Sequence, residues 1–238
     1  MAEPLILLAP SEDKAPGGPL GRLDETPAQR WVRERLVDLV VHGSPEAQKK
    51  AFDVKDAALA KAKAEALALK GPVHLLPALA RYTGVAFEAL APATLPREAW
   101  SRVYVLSNLR GLVRGDEPLP PYKLKLVGLP GLRAHWRKHL GPLLAQLPPG
   151  ETWELLPEDS AALLKGWDRP RHTLLIVDGQ GRAISHWSKK YRGLVARWIL
   201  EHGGDPAKVA KARLPGCRVT GSRANDRGGR QLTVVVDA

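Results

Sequence analysis

The chain has 238 residues, 44% of them hydrophobic, and a formal net charge of +11. That is an ordinary globular mix able to bury a sizeable core, and its basicity suggests a polyanionic partner such as nucleic acid. No stretch approaches the roughly 18 apolar residues of a membrane-crossing helix, and with Cys217 as the sole cysteine an intramolecular disulfide is excluded, so a reducing cytoplasm and no membrane partner are expected.

The first apolar run, Leu5 to Ala9, is continuous rather than alternating, as in a strand buried on both faces. Glu3 precedes it where a secretory leader would be basic. It empties into a polar loop from Pro10 to Gly18 that carries Lys14, and loops at strand ends often hold sites in α/β folds. Thr26, Pro27 and Gln29 form a capping box with proline at the first helical position. Val32, Leu36, Leu39 and Val40 then give a buried helical face, which Gly43 ends. Ser44-Pro45-Glu46 opens a second helical pattern. From Ala47 to Lys70 the chain is alanine-rich and studded with Lys49, Lys50, Lys55, Lys61, Lys63 and Lys70. This stretch reads either as a solvated lysine face or as paired helices that present a hairpin to a DNA backbone.

A connector and short helix over residues 72–79 lead to Arg81-Tyr82-Thr83-Gly84 and a helical stretch with Val85, Phe87 and Leu90. Val103 to Leu106 reads as a second core strand. Beyond it, Asn108 to Leu124 holds two glycines, three prolines and alternating charges, the pattern of a shaped loop. Leu132, Trp136, Leu140, Leu143 and Leu144 keep helical period up to Pro148-Pro149. A third strand is expected around Trp153 to Leu156, with a short helix from Asp159. Thr173 to Val177 is a strong strand, and Asp178-Gly179-Gln180-Gly181 turns it into another at Ala183 to Trp187. A helix follows, with Tyr191, Leu194, Val195, Trp198 and Ile199 on its buried stripe, Ser188 as N-cap and Gly203-Gly204 as stop. Tyr191, Trp198 and Trp136 are assigned to the core. Residues 206–213 read as a small basic helix, and Leu232 to Val236 as the last strand after a flexible loop from Arg223 to Arg230. With no repeat and no linker, residues 1–238 read as one α/β (mixed α+β) domain, a mixed central sheet surrounded by helices.

The charge on the late helix does not fit plain stability. Lys189, Lys190 and Arg192 crowd its first turn, where the helix dipole already repels cations and exposed N–H groups make an anion site. Basic residues accumulate around it, from Lys165, Arg169, Arg171 and Arg182 to Lys208, Lys211, Arg213, Arg218 and Arg223. Against metal chemistry, His135 and His139 have zincin spacing but Trp136 stands where the glutamate would be. Neither a metal nor a cofactor is expected. Glu12, Asp13, Asp116 and Glu117 could supply a carboxylate pair, but nothing singles one out.

Several blocks together resemble the YaaA family of peroxide stress proteins. Pro10-Ser11-Glu12-Asp13-Lys14 is similar to its N-terminal signature, and Arg81-Tyr82-Thr83-Gly84-Val85 to its RYTG-type block. Ser107 to Gly111, Arg114 and Pro121-Tyr122-Lys123-Leu124 resemble its long central loop. Ser185-His186, Lys189-Lys190, Arg192-Gly193-Leu194 and Arg197 resemble its late basic helix. The chain departs from the family with Lys123 for an arginine, Glu117 for an aspartate, Gly115 for a proline and Arg110 for an aromatic. The resemblance implies a compact α/β fold of the family's own type with a positively charged cleft. It also implies a helix–hairpin–helix-like element at residues 47–70, association with DNA, and a cytoplasmic role in limiting free iron under peroxide stress.

Two functions fit these residues. The first is a monomer binding duplex or distorted DNA through phosphate contacts from Lys14, Arg81, Arg114, Lys123, Lys189, Lys190, Arg192 and Arg197, with hairpin contacts from Lys55, Lys61 and Lys63 and base stacking on Tyr122. The second is an enzyme acting on a nucleotide or nucleobase in the same cleft, with Glu117 or Asp159 as acid, base or nucleophile.

Overall fold

In a computed structural model, which describes residues 3–54, 56–184 and 188–237, the opening apolar run forms β1 (Leu5–Leu8), buried at every position. Along the chain follow β2 (Leu20–Gly21), α1 (Pro27–His42), α2 (Pro45–Phe52), α3 (Asp56–Ala68), β3 (Val73–His74), β4 (Leu76–Pro77), α4 (Ala78–Arg81), α5 (Val85–Leu90) and α6 (Arg97–Trp100). The middle carries β5 (Val103–Ser107), β6 (Gly111–Arg114), β7 (Pro118–Leu119), α7 (Leu132–Ala145), β8 (Thr152–Leu155), α8 (Glu158–Ala161) and β9 (Arg171–Val177). The chain closes with α9 (Ser188–His202), α10 (Pro206–Val209), β10 (Arg213–Leu214), β11 (Cys217–Ala224) and β12 (Gly228–Val236).

An eight-stranded sheet takes the order β10-β11-β12-β9-β8-β1-β5-β6. The neighbours from β12 to β5 are parallel, and antiparallel β6, β11 and β10 extend the two margins. This is the mixed sheet with surrounding helices that the alternation of patterns predicts. Parallel strands with helices on both faces have no solvated side, which is why β1 shows no alternation.

The local signals work as their chemistry dictates. Both bonds of the Thr26/Gln29 capping box form at the start of α1. Tyr191, Val195 and Ile199 face inward on α9, and Trp136 is buried on α7, whereas Trp198 is half-buried and stacks on His202. Gly193 sets how closely α9 approaches α5, because a Cβ there would collide with the Ala86 carbonyl.

Two segments differ from expectation. The glycine-rich stretch after β5 is not simply a loop: Gly111, at φ +74°, reverses the chain and β6 pairs back on β5. Residues 223–230 are largely the ends of β11 and β12, a hairpin along the sheet margin. Of the strand expected from Ala183, the described residues show a bridge between Val177 and Ala183; Ser185, His186 and Trp187 lie outside the described residues. Ser188 is the first residue of α9 rather than the residue before it. Helices α2 and α3 flank the expected hairpin position, where Asp53 takes the left-handed conformation at φ 49°; Lys55 lies outside the described residues.

Candidate functional site

From β1 the chain crosses to β5 on one side, and later returns to β8 on the other side of β1. The order therefore reverses between β1 and β8. In open α/β sheets ligands bind beyond the carboxyl ends of strands at such a reversal, and a cleft of about 830 Å³ lies there. Its lining draws on Leu8 to Asp13 at the end of β1 and beyond, Asn108 after β5, Pro157 to Ser160 after β8, the start of α5, and the segment from Lys123 to Val127. Arg133 of α7 and Lys189 and Arg192 of α9 complete it. Among the described residues, five cations (Lys123, Lys125, Arg133, Lys189, Arg192) meet four carboxylates (Glu12, Asp13, Glu158, Asp159). The cleft therefore carries both signs.

Several of these charges are paired. Lys123 Nζ lies 3.0 Å from one oxygen of Glu12, and Lys125 Nζ lies 3.3 Å from the other. Lys125 also pairs with Asp53 at the α2–α3 turn. Burial pushes the Glu12 carboxyl upward, but the hydrogen bonds and charges of Lys123 and Lys125 outweigh it and hold the group below its usual range. Arg133 reaches Asp159 at 3.3 Å. Arg192 donates to Ser188 Oγ at 2.6 Å, and burial lowers its proton affinity.

Beside the cleft, Lys14 is held by the backbone on both sides. Its residue bridges Tyr82, Ala15 N–H donates to the Arg81 carbonyl, and Thr83 N–H donates to that of Asp13. Lys14 Nζ donates to the Ser11 carbonyl at 3.0 Å and the Glu12 carbonyl at 3.4 Å. It stands 4.0 Å above the Tyr122 ring and 5.2 Å from that of Tyr82. Burial, then the charge of Lys123, bring its pKa down to about 7 against the pull of Glu65, Asp13 and Glu12. The two tyrosine hydroxyls meet at 2.8 Å, and Ser107 Oγ lies 2.9 Å from that of Tyr122. Burial raises the proton affinity of both phenols.

The expected site residues divide into those at the cleft and those away from it. Lys123, Lys189, Arg192 and Asp159 line the cleft, and Lys14 stands behind its wall. Lys190 extends over the Tyr191 ring at 5.9 Å instead. Arg81 cannot serve as a phosphate ligand: it is fully buried, and its guanidinium donates to the carbonyls of Leu119, Ala15, Gly17 and His74. Tyr122 cannot serve as a stacking surface, being 2% exposed with Lys14 over its face. Arg197 donates to the carbonyls of Leu90 and Ala91 at the end of α5, a helix-terminal contact. Arg114 pairs with Asp116 on β6. Glu117 is absent from the cleft lining, its backbone bonding Arg114 and Ala78. Lys61 is exposed and faces Glu65 at 3.8 Å, and Lys63 is half-buried on the same helix. His135 stacks on Trp31 with His139 beside it, and no metal-holding cluster occurs among the described residues.

Sequence reading missed Lys125 and Arg133. Lys125 had a signal: it follows Lys123 by two residues, which in an extended segment puts both on one face. Arg133 had none, as it is one of several cations on α7.

A family model described as "Peroxide stress protein YaaA" matches residues 5–220. A UPF0246 protein of Corynebacterium efficiens is 30% identical, over 98% of this chain and 100% of its own length. A UPF0246 protein of Streptomyces coelicolor is 32% identical, over 87% of this chain and 86% of its own. An uncharacterized protein of Campylobacter jejuni is 30% identical over 58% of each. Among the described residues no helix is long and apolar enough to cross a membrane.

Proposed function

The chain belongs to the peroxide stress protein YaaA family, and from that premise we propose that it binds DNA through the cleft as part of peroxide defence in the cytoplasm, helping to limit free iron and DNA damage. The observation that carries this reading is convergence. Lys123, Lys125 and Arg133 come from one stretch and Lys189 with Arg192 from another more than fifty residues on, and they meet on one cleft, within a chain of net charge +11. Contacts of this kind read the phosphate backbone rather than sequence. Helices α2 and α3 would add Lys61 and Lys63 as a second, hairpin-like contact. The protein would act as a monomer.

Binding by phosphate contacts releases counterions, so affinity falls steeply with salt. Titration of a short labelled duplex at two salt concentrations should give micromolar or tighter binding at the lower one and a large loss at the higher. Absence of binding at low salt, or binding indifferent to salt, overturns the proposal.

A second reading, an enzyme acting on a nucleotide or nucleobase, has one observation in its favour: Lys14, with a pKa near 7, stands beside a cleft that Asp159 lines. A general base is best matched when its pKa lies near the working pH. Asp159 keeps its candidacy by position, and Glu117 loses it. Nucleotide turnover by the purified protein that Asp159→Asn leaves unchanged would remove Asp159 from any such mechanism.

A further inference from the structure

Glu12 is placed as a bound anion would be. Each oxygen of its carboxylate faces a different lysine amine, at 3.0 Å for Lys123 and 3.3 Å for Lys125. A third amine adjoins them, since Lys14 Nζ donates to the Glu12 carbonyl at 3.4 Å. The side chain of Lys123 is 15% exposed and that of Glu12 51%, so the amine is held and the carboxylate sits on the open side. Lys125 has a second tether, Asp53, which would keep it in place if Glu12 left. The carboxylate is the movable partner.

We propose that Lys123 and Lys125 form the seat of a terminal phosphate, a phosphate monoester on a nucleotide or at the end of a nucleic-acid strand, and that Glu12 fills this seat in the empty protein. The proposal deepens the DNA reading and rests on its assignment of Lys123 to phosphate. Binding here is an exchange of anions. A phosphodiester within a strand brings one negative charge, the same as the carboxylate it displaces, and gains little. A terminal phosphate carries about −1.5 to −2 near neutral pH and has three acceptor oxygens. It can satisfy both lysines and reach toward Lys14, whose proton uptake a dianion favours. Glu12 thereby biases this seat toward strand ends over strand interiors.

The test compares one oligonucleotide duplex with and without a 5′-phosphate, alongside a free nucleoside 5′-monophosphate, on the full chain and three variants. The phosphorylated duplex should bind the unaltered protein roughly tenfold tighter than its unphosphorylated twin. Lys123→Gln and Lys125→Gln should each shrink that difference. Glu12→Gln, at a half-exposed position, should tighten all phosphate-bearing probes roughly threefold to tenfold by freeing the seat. Equal affinity for the two duplexes, with binding to both intact, overturns this proposal and leaves the DNA reading standing. Binding of the mononucleotide alone, tightened by Glu12→Gln, supports the seat and overturns the DNA reading. No tightening in Glu12→Gln, in a variant whose thermal unfolding matches the parent, overturns the proposal on its own.

Discussion

Arg81 and Lys14 are basic residues on adjoining backbone, and the fold treats them in opposite ways. Arg81 is completely buried with its fork on four backbone carbonyls. Those carbonyls belong to the loop after β1, to β3 and to β7, so one side chain ties three chain segments together. Lys14 has two carbonyl acceptors and two aromatic faces. Burial depresses the proton affinity of both, but a guanidinium stays charged at any accessible pH whereas a buried amine can give up its proton. Cation–π attraction favours the charged amine, yet desolvation and Lys123 win. A cation saturated with acceptors is a fastener; one left short of them is available for chemistry.

The largest expected effect separates the two at the level of stability. Arg81→Met should destabilise the protein by roughly 3–5 kcal/mol, because it leaves buried carbonyls without donors, and Arg81→Lys should recover little because an ammonium lacks the planar fork. Urea unfolding midpoints measure this. A loss under about 1 kcal/mol in either variant would mean that water replaces the guanidinium and the clamp is dispensable.

The smaller effect concerns pH. The folded-state pKa of Lys14, about 7, lies below the ordinary lysine value of 10.5, so between these limits the unfolded chain holds a proton that the folded one has lost. Stability contributed by this group therefore rises with pH across that window and is flat below it. Lys14→Met should abolish the rise while leaving the protein folded, and unfolding midpoints from neutral to alkaline pH would show it. Parallel pH profiles for the parent and Lys14→Met would show that the amine keeps its proton, erasing the contrast with Arg81.

That contrast also marks where sequence reading stops. Periodicity and capping placed β1, α1, β5, α7 and α9, because those signals are local and the groups that satisfy them lie within a few residues. Strand β11 was missed because it runs beside the short β10 at the sheet margin and is largely exposed, so it shows no apolar alternation. Lys14, Lys123 and Arg192 were legible as cations of interest through their motif blocks. Arg81 and Tyr122 stood in similar blocks, and no local feature distinguishes an arginine that meets solvent from one that meets four carbonyls. The Glu12–Lys123 pair joins residues far apart in the chain, and only the folded chain brings them together. Family membership followed from blocks in order, a property that survives ignorance of each block's contacts.

The reversal of strand order between β1 and β8 has a consequence during synthesis. β1 emerges first from the ribosome, but its partners start at Val103 and Thr152. At typical translation speeds the wait for both is on the order of ten seconds. Until β5 is made this wholly apolar strand lacks both partners, and until β8 is made it still lacks one. Contacts this remote in sequence also slow the search itself. Strand edges left unpaired this long are open to aggregation, and the binding cleft is finished later still, when α9 brings Lys189 and Arg192.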